Sequence, residues 1–564
     1  MRIVMIGAGY VGLVSGACLA DFGNEVVCVE VDSNKVSSLR EGRVPIYEPG
    51  LSELVLTNQS AGRLSFTTSL KAAGRGAQAI FITVGTPSLA EVGSADLQYV
   101  HDAAREIAEV IDDFTVVVIK STLPIGAGDE VDRIIAERAP RGSFAVVSNP
   151  EFLREGAAIQ DFKRPDRVVI GVEDDRGREV MREIYRPIER SGGPIVYTSR
   201  RSAEMIKYAA NVFLAMKVTF INEIADLCER VGADVLDVSH GIGLDDRIGR
   251  RFLNPGPGFG GSCFPKDTLA LTKLAADAKA PIRLVETLVD VNDKRKTAMA
   301  AKVVTACGGS VAGKRIAVLG LTYKPKTDDM CDAPSLVIVP KLQAAGARIV
   351  AYDPEGVRTA KPLLPGIEFA ENAYACLRGA DAAVIVTEWD EFRALDLARV
   401  KAALATPTII DLRNIYPIRA MRAHGFRYVC VGRGFGGEGW CFSAAPLGQT
   451  QSRRTRAAWR AEYHCCFCLN RPGIQSKVAH AALSISVLRH RRGKFTGSLR
   501  SPGLAGGSGP QPRRVAGLSD LSSDWGLSGE VRGHRRYRRL SAFAAARGAR
   551  GGASFPRIRR SAFS

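Results

Sequence analysis

The chain opens on a stretch that leaves little freedom in how it can fold: "RIVMIG" runs directly into "AGYVG" and then "LVSGACLADFG". Gly7, Gly9 and Gly12 thus form G-x-G-x-x-G between an apolar, β-branched run and a helical one. In that setting the first glycine makes the turn, the second lets a pyrophosphate approach the backbone, and the third lets helix and strand pack closely. Glu30 ends the next apolar run, "EVVCVEVD", close to the expected offset of about twenty residues. A carboxylate there accepts from the adenosine ribose hydroxyls and repels a 2′-phosphate, so NAD is expected rather than NADP. A tight turn with no ligand is the plain alternative, and strand, helix and acid together argue against it.

The same alternation continues. "AQAIFITVG", "TVVVIKST" and "FAVVSN" are apolar runs separated by helical segments such as "LQYVHDAAREIAEVI", which implies a parallel, doubly wound sheet. From about Ser202 a long helical pattern, "SAEMIKYAANVFLAMKVTFINEIADLCERVG", takes over, with Gly232 placed to cap its C-terminus. A second α/β unit starts at "GKRIAVLGLTYKP" and runs through "GARIVAYDP", "ADAAVIVTEW", "PTIIDLRN" and "FRYVCVG". The expected fold is α/β: two Rossmann-like doubly wound parallel-sheet domains joined by a central helical region, with a ligand cleft between them. The expected divisions are 1–200 for dinucleotide binding, 201–310 for linking and dimerisation, 311–433 for a second ligand, and 434–564 as a basic tail.

Charge separates that tail from the body. Residues 434–564 hold 23 of the 77 basic and 5 of the 59 acidic side chains, so 54 of each remain in residues 1–433 and the tail carries the entire net +18. The body offers no electrostatic case for nucleic acid. Rich in Arg, Gly, Ser and Ala and without sustained apolar period, the tail is expected to be disordered, either a basic arm that could meet nucleic acid or the product of reading beyond a frameshift. No apolar run approaches a membrane span. Twelve cysteines without a paired framework fit a reducing, cytoplasmic setting.

Two residues stand out chemically. In "GFGGSCFPKDT" the glycines admit a ligand to the backbone and Pro265 can open a helix, leaving Cys263 just ahead of its N-terminus, where a thiolate is favoured. The alternative is a buried structural cysteine beside a tight turn. Lys207, in "MIKYAANVF", lies in an almost wholly apolar segment. An ammonium there needs a carboxylate, a phosphate or a developing oxyanion, unless it snorkels from a helix end. Asn211, four residues on, shares its face. No residue pattern points to a metal.

From Met1 to about Val431 the chain resembles the nucleotide-sugar dehydrogenases of the UDP-glucose/GDP-mannose dehydrogenase family, bacterial type. The motifs that carry the resemblance are "GAGYVGLVSGACLADFG", "PIYEPGL", "FITVGTP", "KSTLPIG", "SNPEFLREGAAIQDF", "IKYAANVFLA", "GIGLDDRIG", "GPGFGGSCFPKDT" and "GLTYKPKTDDM". It implies oxidation of C6 of the glucose in UDP-glucose to a carboxylate, using two NAD and one water, in a homodimer or higher homo-oligomer. Cys263 would then be the nucleophile that holds the aldehyde as a thiohemiacetal and, after a second oxidation, as a thioester.

By the same resemblance Lys207 and Asn211 stabilise the oxyanion, Asp267 handles water, Glu151 acts as base or water ligand, and Thr122 orders the catalytic water. Cofactor contacts fall to Gly7, Gly9, Gly12, Glu30, Lys35, Thr86, Thr122, Glu155, Lys266 and the position of Cys331. Substrate contacts fall to Glu151, Phe152, Leu153, Lys207, Asn211, Phe259, Gly260, Lys324 and Arg413, with Arg247 contributed across a dimer interface.

Three positions depart from the family pattern: Cys331 stands where an arginine usually meets the cofactor, Lys326 where asparagine is frequent, and Ala127 where threonine is. GDP-mannose or a UDP-N-acetylhexosamine remains an alternative substrate. A catalytically silent nucleotide-sugar-binding protein is the alternative from another class, and intact Cys263, Lys207 and Asp267 oppose it.

Overall fold

A computed structural model describes residues 1–89, 94–140 and 142–434, so nearly all of the basic tail lies outside the described residues. The first apolar runs become β1 (Arg2–Ile6), β2 (Glu25–Val29), β3 (Leu64–Thr67) and β4 (Ala79–Ile82). A small antiparallel ribbon, β5 (Ser88–Leu89) and β6 (Ser94–Ala95), precedes β7 (Thr115–Ile119), β8 (Phe144–Ser148), β9 (Val168–Val172) and β10 (Ile195–Thr198). Eight of these strands form one sheet in the order β10-β9-β8-β7-β4-β1-β2-β3. The strands are apolar on both faces because both are covered: Ile3 and Met5 of β1 join one buried cluster, while Val4 and Ile6 join another on the opposite side.

One pair breaks the parallel pattern, since β9 runs antiparallel to β8. The intervening residues 149–167 return to the sheet from the end at which β8 leaves it. Their first part, "NPEFLREGA", is thereby laid over the C-terminal ends of the strands, where ligands of such sheets bind.

The second sheet contains β11 (Arg315–Leu319), β12 (Arg348–Tyr352), β13 (Glu368–Phe369), β14 (Ala382–Ile385), β15 (Thr408–Asp411) and β16 (Arg427–Cys430), all parallel, in the order β13-β12-β11-β14-β15-β16. Between the sheets runs a helix of 32 residues, Arg200–Val231, about 48 Å long. Ser199 caps its start by accepting from Ser202 N–H, and Gly232, at φ +78°, ends it as expected. The helices Phe264–Asp277 and Arg283–Ala306 pack against it, burying Tyr208, Val212, Phe259, Leu271 and Leu288 in a central cluster. Among the described residues no helix is long and apolar enough to cross a membrane, and no cluster of His, Cys, Asp and Glu could hold a metal ion.

Both sheets reverse strand order in the same way. After β1, Gly7 at φ +98° passes the backbone of Thr83, which follows β4, and a Cβ on Gly12 would lie 1.9 Å from the Gly7 carbonyl oxygen. After β11, Gly320 at φ +87° passes Thr387, which follows β14, with an added Cβ 2.5 Å from Thr387 Cβ. Gly320→Ala is expected to lower stability by about 1–3 kcal/mol for the left-handed backbone and by a similar amount for the overlap. Gly379→Ala, also at positive φ but facing open space, should cost only about 1–2 kcal/mol. Thermal unfolding of the two variants checks the difference.

Candidate active site

The helix Arg200–Val231 presents Lys207 inward, where the ammonium is buried and donates to the Glu151 carbonyl oxygen at 2.5 Å and to Glu151 Oε1 at 3.0 Å. Glu151 Oε2 accepts from Leu153 N–H. Burial alone would drive both groups neutral; the Lys207 ammonium instead holds the Glu151 carboxyl below its ordinary range, and Glu151, Cys263 and Asp267 lift the lysine above its own. One turn further on, Asn211 Nδ2 donates to Asp267 Oδ2 at 2.6 Å. Asp267 Oδ1 is buried without a protein partner, an acceptor left for water or substrate. Burial pushes the Asp267 carboxyl up, opposed by the charge of Lys207.

Cys263 occupies the N-cap of the helix Phe264–Asp277, which has Pro265 in its first turn. Its place at a helix start agrees with the sequence reading, but its protonation does not. Burial pushes the thiol up to about 11, with Lys207 pulling it back and Glu151 and Asp267 adding to the rise. Two carboxylates and a desolvated sulfur outweigh the ammonium. The glycine run before it is held by Asn292, whose Oδ1 accepts from Phe259 N–H at 2.9 Å and whose Nδ2 donates to the Phe259 carbonyl at 3.2 Å. Close approach demands glycine here: a Cβ on Gly260 would lie 2.4 Å from the Asp332 carbonyl oxygen.

These parts enclose a cavity of about 810 Å³. Of the expected substrate contacts, Glu151, Phe152, Leu153, Lys207, Asn211, Phe259, Gly260, Lys324 and Arg413 all line it, together with Glu155 and Cys263. The second sheet supplies Lys324, whose ammonium burial pushes downward, and Arg413, which pairs with Glu388 at 3.1 Å and donates to the Tyr323 carbonyl at 3.0 Å. Arg247 is not brought in: its side chain is 89% exposed and pairs with Asp245 at 2.6 Å.

On the dinucleotide side, the helix Tyr10–Asp21 starts at Gly9 with no side-chain cap, and a Cβ on Gly9 would meet nothing within 4 Å. Its free N–H groups and the open space suit a pyrophosphate. Glu30 accepts from Ala8 N–H at 3.2 Å and from Lys35 at 2.9 Å, which ties two expected contacts together. Three more converge: Thr86 Oγ1 donates to the Thr122 carbonyl at 3.3 Å and accepts from Lys266 at 3.1 Å. Glu155 lies between the halves, accepting from Tyr323 at 2.9 Å and Thr327 at 3.2 Å.

Residues 1–189 match the NAD binding domain of the UDP-glucose/GDP-mannose dehydrogenase family, 201–294 its central domain and 317–418 its UDP binding domain. The chain belongs to that family. It is 60% identical over 435 residues to UDP-glucose 6-dehydrogenase of Rhizobium meliloti (strain 1021), covering 77% of this chain and all of that one. To UDP-glucose 6-dehydrogenase TuaD of Bacillus subtilis (strain 168) it is 47% identical, covering 77% of this chain and 93% of the relative. The solved UDP-glucose dehydrogenase of the hyperthermophilic archaeon Pyrobaculum islandicum superimposes with a TM-score of 0.69 at 37% identity, covering 76% and 96% of the respective chains. The dehydrogenase is therefore an NAD-dependent oxidoreductase.

Several of its site residues escaped the sequence reading. Lys120 is fully buried at the cavity wall, 3.2 Å from Asn149 Oδ1 and 3.4 Å from the Tyr185 hydroxyl, and burial pushes its ammonium down to about 8. A lysine ending the all-apolar run "TVVVI" was the available signal. Tyr323 and Thr327, which hold Glu155, sit inside the quoted "GLTYKPKT". Cys331 is exposed, and its carbonyl accepts from Gly261 N–H at 2.7 Å, joining it to the glycine run ahead of Cys263.

With the thiol at about 11 in the ligand-free dehydrogenase, alkylation of Cys263 by iodoacetamide should accelerate about tenfold per pH unit through the neutral and mildly alkaline range. Mass analysis of the Cys263 peptide measures this. A rate that levels off below pH 8 would show the thiolate to be stabilised already in the free protein.

Proposed function

We propose that the enzyme converts UDP-glucose to UDP-glucuronate by a four-electron oxidation at C6, with Cys263 as the covalent nucleophile. The observation that carries this reading is the convergence of Cys263, Lys207, Asn211 and Glu151 on the lining of one cavity, with Asp267 held behind them by Asn211. NAD supplies the electron acceptor, two equivalents for each sugar. Lys207 neutralises negative charge on the C6 oxygen, and Asn211 donates beside it. Once the aldehyde stands in the cavity, Cys263 Sγ adds to C6 and its proton leaves, giving a thiohemiacetal oxyanion beside the same ammonium. Oxidation of that adduct yields a thioester. Water then attacks C6 and gives a proton to Asp267, the C–S bond breaks, and the leaving sulfur takes up a proton as UDP-glucuronate departs.

With purified enzyme and a panel of nucleotide sugars, two NADH should form for each UDP-glucose consumed. Preference for GDP-mannose or a UDP-N-acetylhexosamine would overturn the substrate reading. Cys263→Ala should lower UDP-glucuronate formation by more than roughly 10³-fold while leaving UDP-glucose binding near wild type. Full turnover by that variant would remove the covalent step.

Self-association through the long helix is part of the same reading. Phe213, Phe220, Leu227 and Val231 are exposed, and their spacing puts them on one face, a stripe that suits a second copy of the chain. Eight free cysteines among the described residues support a reducing compartment, and the cytoplasm is the location we propose. Phe220→Asp should shift the assembly toward monomer in light scattering; an unchanged mass would place the interface elsewhere.

A further inference from the structure

Glu204 plays no part in the chemistry above, yet it is buried beside Thr122, Ser148 and Lys207. It lies three residues before Lys207 on the same helix, so the two side chains share a face. No cation pairs with it among the described residues: Lys207 is taken by Glu151, and Arg200 and Arg201 both reach Asp129 at 2.8 Å. Its carboxylate instead accepts from Gly126 N–H at 2.7 Å, Gly128 N–H at 3.0 Å and the Ser148 hydroxyl at 2.9 Å.

Those N–H groups belong to the start of the helix Ala127–Ala136, which has no side-chain cap of its own. A carboxylate from a different helix therefore caps it, at the positive end of its dipole. The backbone has made room for this. Gly126 stands at φ +95°, and a Cβ on Gly128 would lie 2.8 Å from both Glu204 Oε1 and Ser148 Oγ. Gly126 closes the loop that carries Thr122, and Ser148 ends β8 just before the segment that carries Glu151. A void of about 10 Å³, room for one water at most, is lined by Thr122, Ser148, Glu204 and Lys207 together. Burial pushes the Glu204 carboxyl up while the three donors hold it down, as expected of a charge kept inside by directed hydrogen bonds.

We propose that Glu204 is a positioning residue: its carboxylate ties the Thr122 loop and the end of β8 to the helix that bears Lys207, fixing the spacing between the groups that serve water and cofactor and the groups that serve the oxyanion. This rests on the proposed roles of Thr122 and Lys207. Glu204 does not line the large cavity, so its loss should appear in the turnover number rather than in substrate affinity.

The test compares Glu204→Gln, Glu204→Asp and Ser148→Ala with wild type in the full chain, using whichever nucleotide sugar wild type oxidises. Glutamine keeps the size but turns an amide donor toward an N–H group, breaking at least one tie. It should lower kcat by at least about tenfold, the scale of a sub-ångström misplacement, with KM for the sugar within about threefold of wild type. Aspartate, which keeps the charge, should recover part of that loss. Ser148→Ala, which removes one tie of three, should lower kcat by a smaller factor at an unchanged thermal midpoint. A kcat within twofold of wild type for Glu204→Gln overturns the proposal. So does a loss that follows the fraction of unfolded protein. Should Glu204→Gln fail to fold, Ser148→Ala decides alone, and wild-type kcat there overturns it. Oxidation of a different sugar by wild type would sink the substrate assignment and leave this comparison intact.

Discussion

The chamber depends on a buried ion pair. Lys207 and Glu151 come from different elements, one from the long helix and one from the segment that leaves β8, and each makes the other tolerable out of water. Removing one partner from such a pair costs about 3–5 kcal/mol, because the remaining charge stays buried and uncompensated. The same ammonium draws Cys263 toward the thiolate and steadies Asp267. A single lysine therefore bears on the nucleophile and on both nearby acids, overcoming burial at Glu151 and opposing it at Cys263 and Asp267. Its position on a continuous helix makes that influence stiff, with little room to drift when substrate enters.

Much of this is legible in the amino-acid sequence itself. Apolar runs fell on strands because a sheet covered on both faces needs them, and the glycine turn fell where strand meets helix because Gly7 and Gly12 pass too close to Thr83 and to each other for a side chain. What the local pattern could not reveal was direction. Nothing in "RVVIG" says that β9 runs against β8, because strand polarity is decided by where the preceding segment must go, and here it must cross the site. The thiol departs from the local pattern for a related reason. A helix start favours the thiolate, but the two carboxylates near Cys263 come from residues 112 positions upstream and four downstream, and only the fold brings the former close. Lys120 and Glu204 were hidden because their partners are backbone groups and neutral side chains, which leave no spacing rule in a sequence.

The two sheets solve one problem twice. Each reverses its strand order beside a glycine at positive φ that passes under a threonine, Gly7 with Thr83 and Gly320 with Thr387. In the first the opening faces a helix start with free N–H groups, which suits a pyrophosphate. In the second, Asp353 follows β12 as Glu30 follows β2, accepting from Leu321 N–H at 2.7 Å and Thr322 N–H at 3.1 Å where Glu30 accepts from Ala8 N–H. From this half Lys324 and Arg413 reach the lining of the large cavity.

The spacing of the site along the chain has a consequence for synthesis. Lys207 meets Glu151 across 56 residues, Asn211 meets Asp267 across another 56, and Glu155 waits for Thr327, 172 residues later. On a ribosome the dinucleotide fold can close long before Arg413 has been made. A nascent chain would thus pass through a stage in which Cys263 is present without the second sheet that helps to enclose it, a bare thiol open to whatever oxidants the cell contains. The order of assembly, more than the finished structure, decides how long that exposure lasts.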